Sequence, residues 1–174
     1  MNAQAQVQDD LLPVDDGQEA TNQILTFRLG KGAYGIHVRH VREVLDVTPI
    51  TPVPNAPPSL LGMVDVRHEG VPVIDLKQRL RISGSVAEAG PDTRIVVLEI
   101  GAGDDASVIA IMADVVLEVV EHDPATLDGP PSFGERWDSS FIHGIGRRGD
   151  EFLTLLDVDA IFRVMDTGPS LPQA

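Results

Sequence analysis

Cysteine is absent from the 174 residues, which rules out disulfides, thiol nucleophiles and thiolate metal sites together and gives no sign of an oxidising compartment. Aromatic residues are few (Phe 5, Tyr 1, Trp 1), so the core has to be assembled from Val, Ile and Leu, and β-branched side chains suit strands better than helices. Basic residues are also scarce. Lys+Arg 13 against Asp+Glu 27 leaves a formal charge of −14, which repels phosphate backbones and anionic lipid surfaces and argues against a nucleic-acid partner. No apolar run approaches the length of a membrane span, and no basic flank or apolar stretch of signal-peptide type opens the chain, so a soluble protein without membrane insertion is expected, in keeping with the cytoplasm. At 43% hydrophobic residues, however, there is ample material for a core.

The polar ends, residues 1–21 and 166–174, are expected to be disordered tails around an ordered region of 22–165. Within that region, Gln23 to Leu29 and Tyr34 to Val38 read as a hairpin about Gly30-Lys31-Gly32. Met63 to Arg67 and Val71 to Leu76 read as a second hairpin, with Gly70 available for positive φ. Arg94 to Ile100 and Ser107 to Met112 read as a third, about the Gly101 to Asp105 turn. Val38, Val41, Val44 and Leu45 recur at helical spacing and predict a short helix ended by Pro49, Pro52 and Pro54; Val115, Val116, Val119 and Val120 predict another. Pro57-Pro58-Ser59 is compatible with one further helical turn, and Ser83 to Asp92 with a linker.

An internal repeat ties these pieces together. Gly62-Met63 with Val71 and Val73-Ile74-Asp75-Leu76 lines up with Gly144-Ile145 and Leu153 and Leu155-Leu156-Asp157-Val158, a constant 82 residues later. Each half then runs hairpin, short helix, proline-rich crossing, hairpin, and two such halves bury their strand edges best as two small barrels that share a core.

Candidate chemistry is thin. Gly30-Lys31-Gly32-Ala33-Tyr34-Gly35 matches G-x-G-x-x-G, but the chain continues as a strand where a phosphate-binding loop needs a helix start, so a hairpin turn is the better reading. His37, His40 and Glu43 have i, i+3, i+6 spacing without a completing ligand, and they, like His68, His122 and His143, read as solvated polar residues. Asp75 and Asp157 occupy equivalent places before short apolar turns, the position of an N-capping carboxylate; a small-barrel hydrolase using them as a pair is the competing class. No nucleophile-elbow, phosphate-loop or metal motif is present, and neither enzyme activity nor a cofactor is expected. Arg67, beside a hairpin turn, suits a recognition anchor, although on the residues alone a solvated cation is the commoner case.

From Gln23 to Phe162 the chain resembles the CheW-like domain along its whole length. The resemblance is carried by Leu25-Thr26-Phe27-Arg28-Leu29, Tyr34-Gly35-Ile36, Val41-Arg42-Glu43-Val44-Leu45, Ile50 to Pro57, Gly62 to Arg67, Val71 to Leu76 and, in the second half, Asp114 to Val119, Ile142 to Gly146 and Leu155-Leu156-Asp157. It implies an all-β fold with short helices, built as two five-stranded SH3-like β-barrel subdomains related by pseudo-duplication. It further implies a non-catalytic chemotaxis adaptor, binding the cytoplasmic tip of a methyl-accepting chemoreceptor and the regulatory domain of a CheA-type histidine kinase, in the cytoplasm at membrane-associated receptor arrays. An adaptor of another receptor-kinase pathway, such as surface motility, fits the same resemblance. By position Val41, Glu43, Gly62 and Arg67 are the expected receptor-facing residues; kinase contacts are not assigned to residues and are expected at strand edges of the first barrel. Where the family reads Asn-Leu-Arg-Gly this chain has Asp65-Val66-Arg67-His68, which predicts an altered turn beside Arg67 and the possibility of an Asp65–Arg67 pair.

Overall fold

A computed structural model describes residues 22–82, 89–130 and 139–166; the expected tails and most of the Ser83 to Asp92 linker lie outside them. Ten strands dominate: β1 (Gln23–Leu29), β2 (Gly32–His37), β3 (Val41–Asp46), β4 (Leu60–Val66), β5 (Glu69–Ile74), β6 (Arg94–Ile100), β7 (Ser107–Ala113), β8 (Val115–Glu121), β9 (Ile142–Arg148) and β10 (Glu151–Leu156). Two helices, α1 (Leu76–Arg79) and α2 (Val158–Asp166), follow β5 and β10. All three expected hairpins form.

The strands make two five-stranded sheets, sheet I in the order β8-β1-β2-β10-β9 and sheet II in the order β3-β6-β7-β5-β4. Advancing every strand of sheet I by five places in the chain, with β10 returning to β5, converts its order into that of sheet II, so the repeat is real at the level of topology. The barrel-like subdomains are not, however, the two halves of the chain. Each half donates its leading hairpin to the other's sheet: β1–β2 sits between β8 and β10, and β6–β7 between β3 and β5. The two junctions are the parallel pairs β2·β10 and β7·β5.

The 82-residue repeat holds at the level of single hydrogen bonds. Asp75 N–H donates to Ser59 C=O at 2.7 Å and Asp157 N–H to Phe141 C=O at 2.9 Å. The two carboxylates cap their helices as expected, Asp75 accepting from the Gln78 N–H at 3.2 Å and Asp157 from the Ala160 N–H at 3.0 Å.

Both expected helices in the valine-rich stretches are strands. Val38–His40 is a single 3₁₀ turn, Val41–Asp46 is β3, and Val115–Glu121 is β8. Each strand carries a bulge. Val41 and Glu43 stand opposite Leu98 and Val97, and Val116 and Val119 opposite Phe27 and Leu25, so one extra residue is accommodated on β3 and on β8. An extra residue moves apolar side chains from a spacing of two to a spacing of three, which imitates a helix in the sequence. Pro57 to Leu60 forms one hydrogen-bonded turn in place of the further helical turn.

Packing explains why the valines win. β6 is buried on both faces: Val96 and Leu98 join Leu25, Phe27, Ile111, Leu156 and Ile161 in a core shared by the two sheets, while Ile95 and Val97 join Val64, Val71 and Val73 inside sheet II. A second link between the sheets is polar. The Lys77 ammonium on α1, its side chain only 9% exposed, lies 2.7 Å from Asp114, whose carboxylate also accepts the Gly30 N–H at 2.7 Å, while the Asp114 N–H donates to Arg28 C=O. Removing the carboxylate strands a buried ammonium, so Asp114→Ala is expected to cost on the order of 3 kcal/mol. Lys77→Met keeps the stem volume and removes the charge, and is expected to cost much less; urea unfolding of the two variants checks the ranking.

On sheet I, Arg28 and Glu151 form a bidentate pair at 2.7 and 3.0 Å. The Arg28 hydrogen bonds hold the Glu151 carboxyl below the usual carboxylate range, and Glu151 in turn raises Arg28. A depressed carboxyl contributes stability that is fully present above the unfolded-state pKa and is lost as the pH falls through the folded value. A carbon-detected NMR titration is expected to show the Glu151 midpoint rising in Arg28→Gln.

Candidate functional site

The two outermost strands of sheet II, β3 and β4, stand at opposite ends of the strand order yet carry side chains in contact. The Arg67 guanidinium donates to both oxygens of Glu43, at 3.3 and 3.1 Å, and Arg42 on β3 reaches Glu69 at the start of β5 at 3.9 Å. Only a sheet curled on itself brings its ends this close, and the seam between them brings together two of the four expected receptor-facing residues, Glu43 and Arg67. Val41 and Glu43 lie on β3, Gly62 on β4, and Arg67 in the turn that ends β4.

The four differ sharply in exposure. Arg67 is 83% exposed while its partner Glu43 is only 19% exposed, so a half-sunken carboxylate holds an outward-facing guanidinium. That contact raises the Arg67 pKa, chiefly through the hydrogen bond to Glu43 and then through charge attraction. Val41 is partly buried against the shared core. Gly62 is buried, and a β-carbon there would stand 2.3 Å from the Thr51 carbonyl oxygen. Its lack of a side chain lets the proline-rich segment lie flat on β4, where Thr51 and Met63 exchange backbone hydrogen bonds at 2.8 Å each way. Gly62 therefore shapes the surface from beneath.

The turn departs from the sequence expectation in its position and in its pairing. Positive φ falls on Arg67 (53°) and His68 (67°), not on Gly70, giving a two-residue hairpin loop without glycine. Asp65 does not pair with Arg67: its carboxylate accepts the His68 N–H at 2.8 Å, a local hydrogen bond of the kind that lets a polar side chain tolerate left-handed backbone. Asp65 thus braces the loop and leaves Arg67 to Glu43.

The histidine and glutamate spacing read along the chain does not gather into a site. His40 is buried against the Glu99 carbonyl, 3.3 Å away, and Glu43 belongs to Arg67. Among the described residues no group of His, Asp and Glu is arranged to hold a metal ion. The structure corrects the view of His40 and His122 as solvated: His40 is buried, both ring nitrogens of His122 are buried, and the His122 ring packs 5.5 Å from that of His37, which also meets His143 at 5.6 Å. His68 and His143 are exposed, as expected. Asp75 and Asp157 each cap a helix, the role expected of them.

Two surface features were not legible along the chain. A groove of about 600 Å³ runs between sheet II and α2, lined by Pro57, Leu60, Ile74, Ile109, Phe162 and Arg163. Sheet I repeats the seam pair, with Arg148 of β9 donating to Glu118 of β8 at 3.0 Å, but Arg148 is only 30% exposed and also lies 3.9 Å from Glu151. The seam arginine is thus enmeshed on one sheet and open to approach on the other.

Comparison with known proteins agrees with this architecture. The family model described as the CheW-like domain matches residues 23–165. The chain is 29% identical over 142 residues to a chemotaxis protein CheW of Treponema pallidum, covering 80% of this chain and 81% of that one. It is 26% identical over 145 residues to the chemotaxis protein CheW of Klebsiella aerogenes, covering 83% and 84%. The crystal structure of the scaffolding protein TtCheW from Thermoanaerobacter tengcongensis superposes with a TM-score of 0.70 at 28% identity, over 82% of this chain and 88% of that one. These relatives are scaffolds and chemotaxis proteins, and they place the chain among non-catalytic adaptors of chemotaxis. On its fold, its repeated seam and the family match over most of its length, this protein belongs to the CheW-like domain family.

Proposed function

We propose that this adaptor couples methyl-accepting chemoreceptors to a CheA-type histidine kinase: it binds the receptor's cytoplasmic tip through the β3–β4 seam and the kinase's regulatory domain through exposed strand edges, at receptor arrays in the cytoplasm. The observation that carries the receptor half is the Glu43–Arg67 pair. An 83% exposed arginine, pre-oriented by a largely shielded carboxylate, loses little side-chain freedom when a partner engages it, and arginine is over-represented among residues that dominate interfaces. Val41 and Gly62 serve the same surface indirectly, by anchoring β3 to the core and by letting the proline-rich segment lie flat. The working unit is residues 22–165. For the kinase half, β3 and β4 of sheet II and β8 and β9 of sheet I are the outermost strands available.

Adaptors in arrays gain from several modest contacts, because linkage raises effective concentration without a tight single interface. The reading is tested by autophosphorylation of a CheA kinase on membranes carrying a chemoreceptor, with and without this protein. Stimulation that requires both the receptor and the protein is the expected result, and its absence with a folded protein and a cognate kinase defeats the reading. Arg67→Glu is expected to weaken receptor co-sedimentation by about tenfold or more. Its melting temperature is expected to stay that of the parent, because an exposed ion pair contributes little to folding. Unchanged co-sedimentation would remove Arg67 from the receptor surface.

A further inference from the structure

On sheet I, away from the seam of sheet II, β9 and β10 pair with Arg147 directly opposite Phe152. Phe152 is 63% exposed, the most exposed large apolar side chain among the described residues. The Arg147 guanidinium lies over its ring, 4.7 Å from the centroid. A cation stacked on an aromatic face uses the flat side of the guanidinium and leaves its edge N–H donors available. The Arg147 side chain makes no hydrogen bond or ion pair among the described residues, although Asp128 lines the same hollow of about 300 Å³ together with Thr126, Ile145 and Gly146.

An exposed phenylalanine beside an unpaired, pre-oriented arginine and a hollow has the composition of an interface centre, not of an ordinary solvated face. Its two parts ask for different things. The guanidinium edge fits a carboxylate in forked geometry, and the phenylalanine ring needs an apolar side chain to take it out of water. Asp128 in the wall disfavours a second anion, so a single carboxylate is directed to the Arg147 side. We propose that this Arg147–Phe152 patch is a second docking surface, separate from the Glu43–Arg67 seam, whose occupant is an exposed segment of a partner protein carrying one Asp or Glu within a residue or two of a bulky aliphatic side chain. The chain's own charge of −14 gives an acidic segment no general attraction, so the contact depends on the local guanidinium.

The test uses the full chain labelled with ¹⁵N and two peptide probes, acetyl-Ala-Leu-Glu-Leu-Ala-amide and the same peptide with Gln for Glu. The glutamate peptide is expected to shift the amide resonances of Gly146, Arg147 and Phe152 in a saturable way at millimolar concentration, with at least fivefold weaker binding for the glutamine peptide. Arg147→Gln and Phe152→Ser are each expected to abolish the response with an unchanged melting temperature, while Arg67→Glu leaves it intact, which separates this surface from the receptor reading. Equal response to both peptides, or none at these three residues, overturns the proposal. So does a shift of the same resonances on raising the protein concentration alone that Arg147→Gln removes, which would make the occupant a second copy of this chain.

Discussion

The exchange of hairpins between the two halves is the constraint on which the rest of the structure depends. Because β1–β2 completes the sheet of the second half and β6–β7 that of the first, no half contains a full set of strands, and the two parallel junctions join residues far apart in sequence. The exchange also places β6 and β1 where both faces are covered. Ile95 and Val97 point into one cluster and Val96 and Leu98 into the other, so a strand without a single polar residue between Ile95 and Leu98 satisfies two cores at once. Parallel sheets buried on both faces show the same continuous apolar runs, for the same reason. A chain poor in aromatics obtains its core in this way, by using aliphatic side chains on both faces of its central strands.

Curling each sheet leaves a seam between its first and last strands, and both seams carry an arginine–glutamate contact. The difference between them lies in their surroundings. Arg148 sits among Glu118, Glu151 and, through Glu151, Arg28, a network that joins β8, β9, β10 and β1. Arg67 stands clear at the tip of the β4–β5 loop, on left-handed backbone that Asp65 braces. A surface pair of this kind adds little stability; what it does is fix the direction of the guanidinium. The same reasoning applies to Arg147, held by a ring in place of a carboxylate. Two oriented cations thus stand on separate sheets of a strongly acidic chain.

Hairpins, caps and repeat were legible along the chain because each rests on a short stretch of backbone. Gly30 and Gly101 mark turns, Asp75 and Asp157 mark helix starts, and the 82-residue offset is visible as identity of residue type. In the valine-rich segments β3 and β8 a bulge mimics helical spacing, and a bulge is defined by the strand opposite, Leu98 and Val97 for β3 or Leu25 and Phe27 for β8. Similarly, nothing near His122 in the chain signals that its ring meets His37, and nothing near Phe152 signals that it stays in water.

The sequence by itself determined the β class, the existence and order of the three hairpins, the absence of thiol chemistry and, through its resemblance, Arg67 as a residue to watch, since these follow from side-chain type and from neighbours within a few positions. Only the tertiary structure decided which hairpin joins which sheet, that Glu43 and not Asp65 holds Arg67, and that Gly62 acts from beneath the surface. Those facts depend on contacts between residues more than ten positions apart or on the choice among equally open turn partners, and free energy is resolved there by shared burial and strand closure, which no local pattern records.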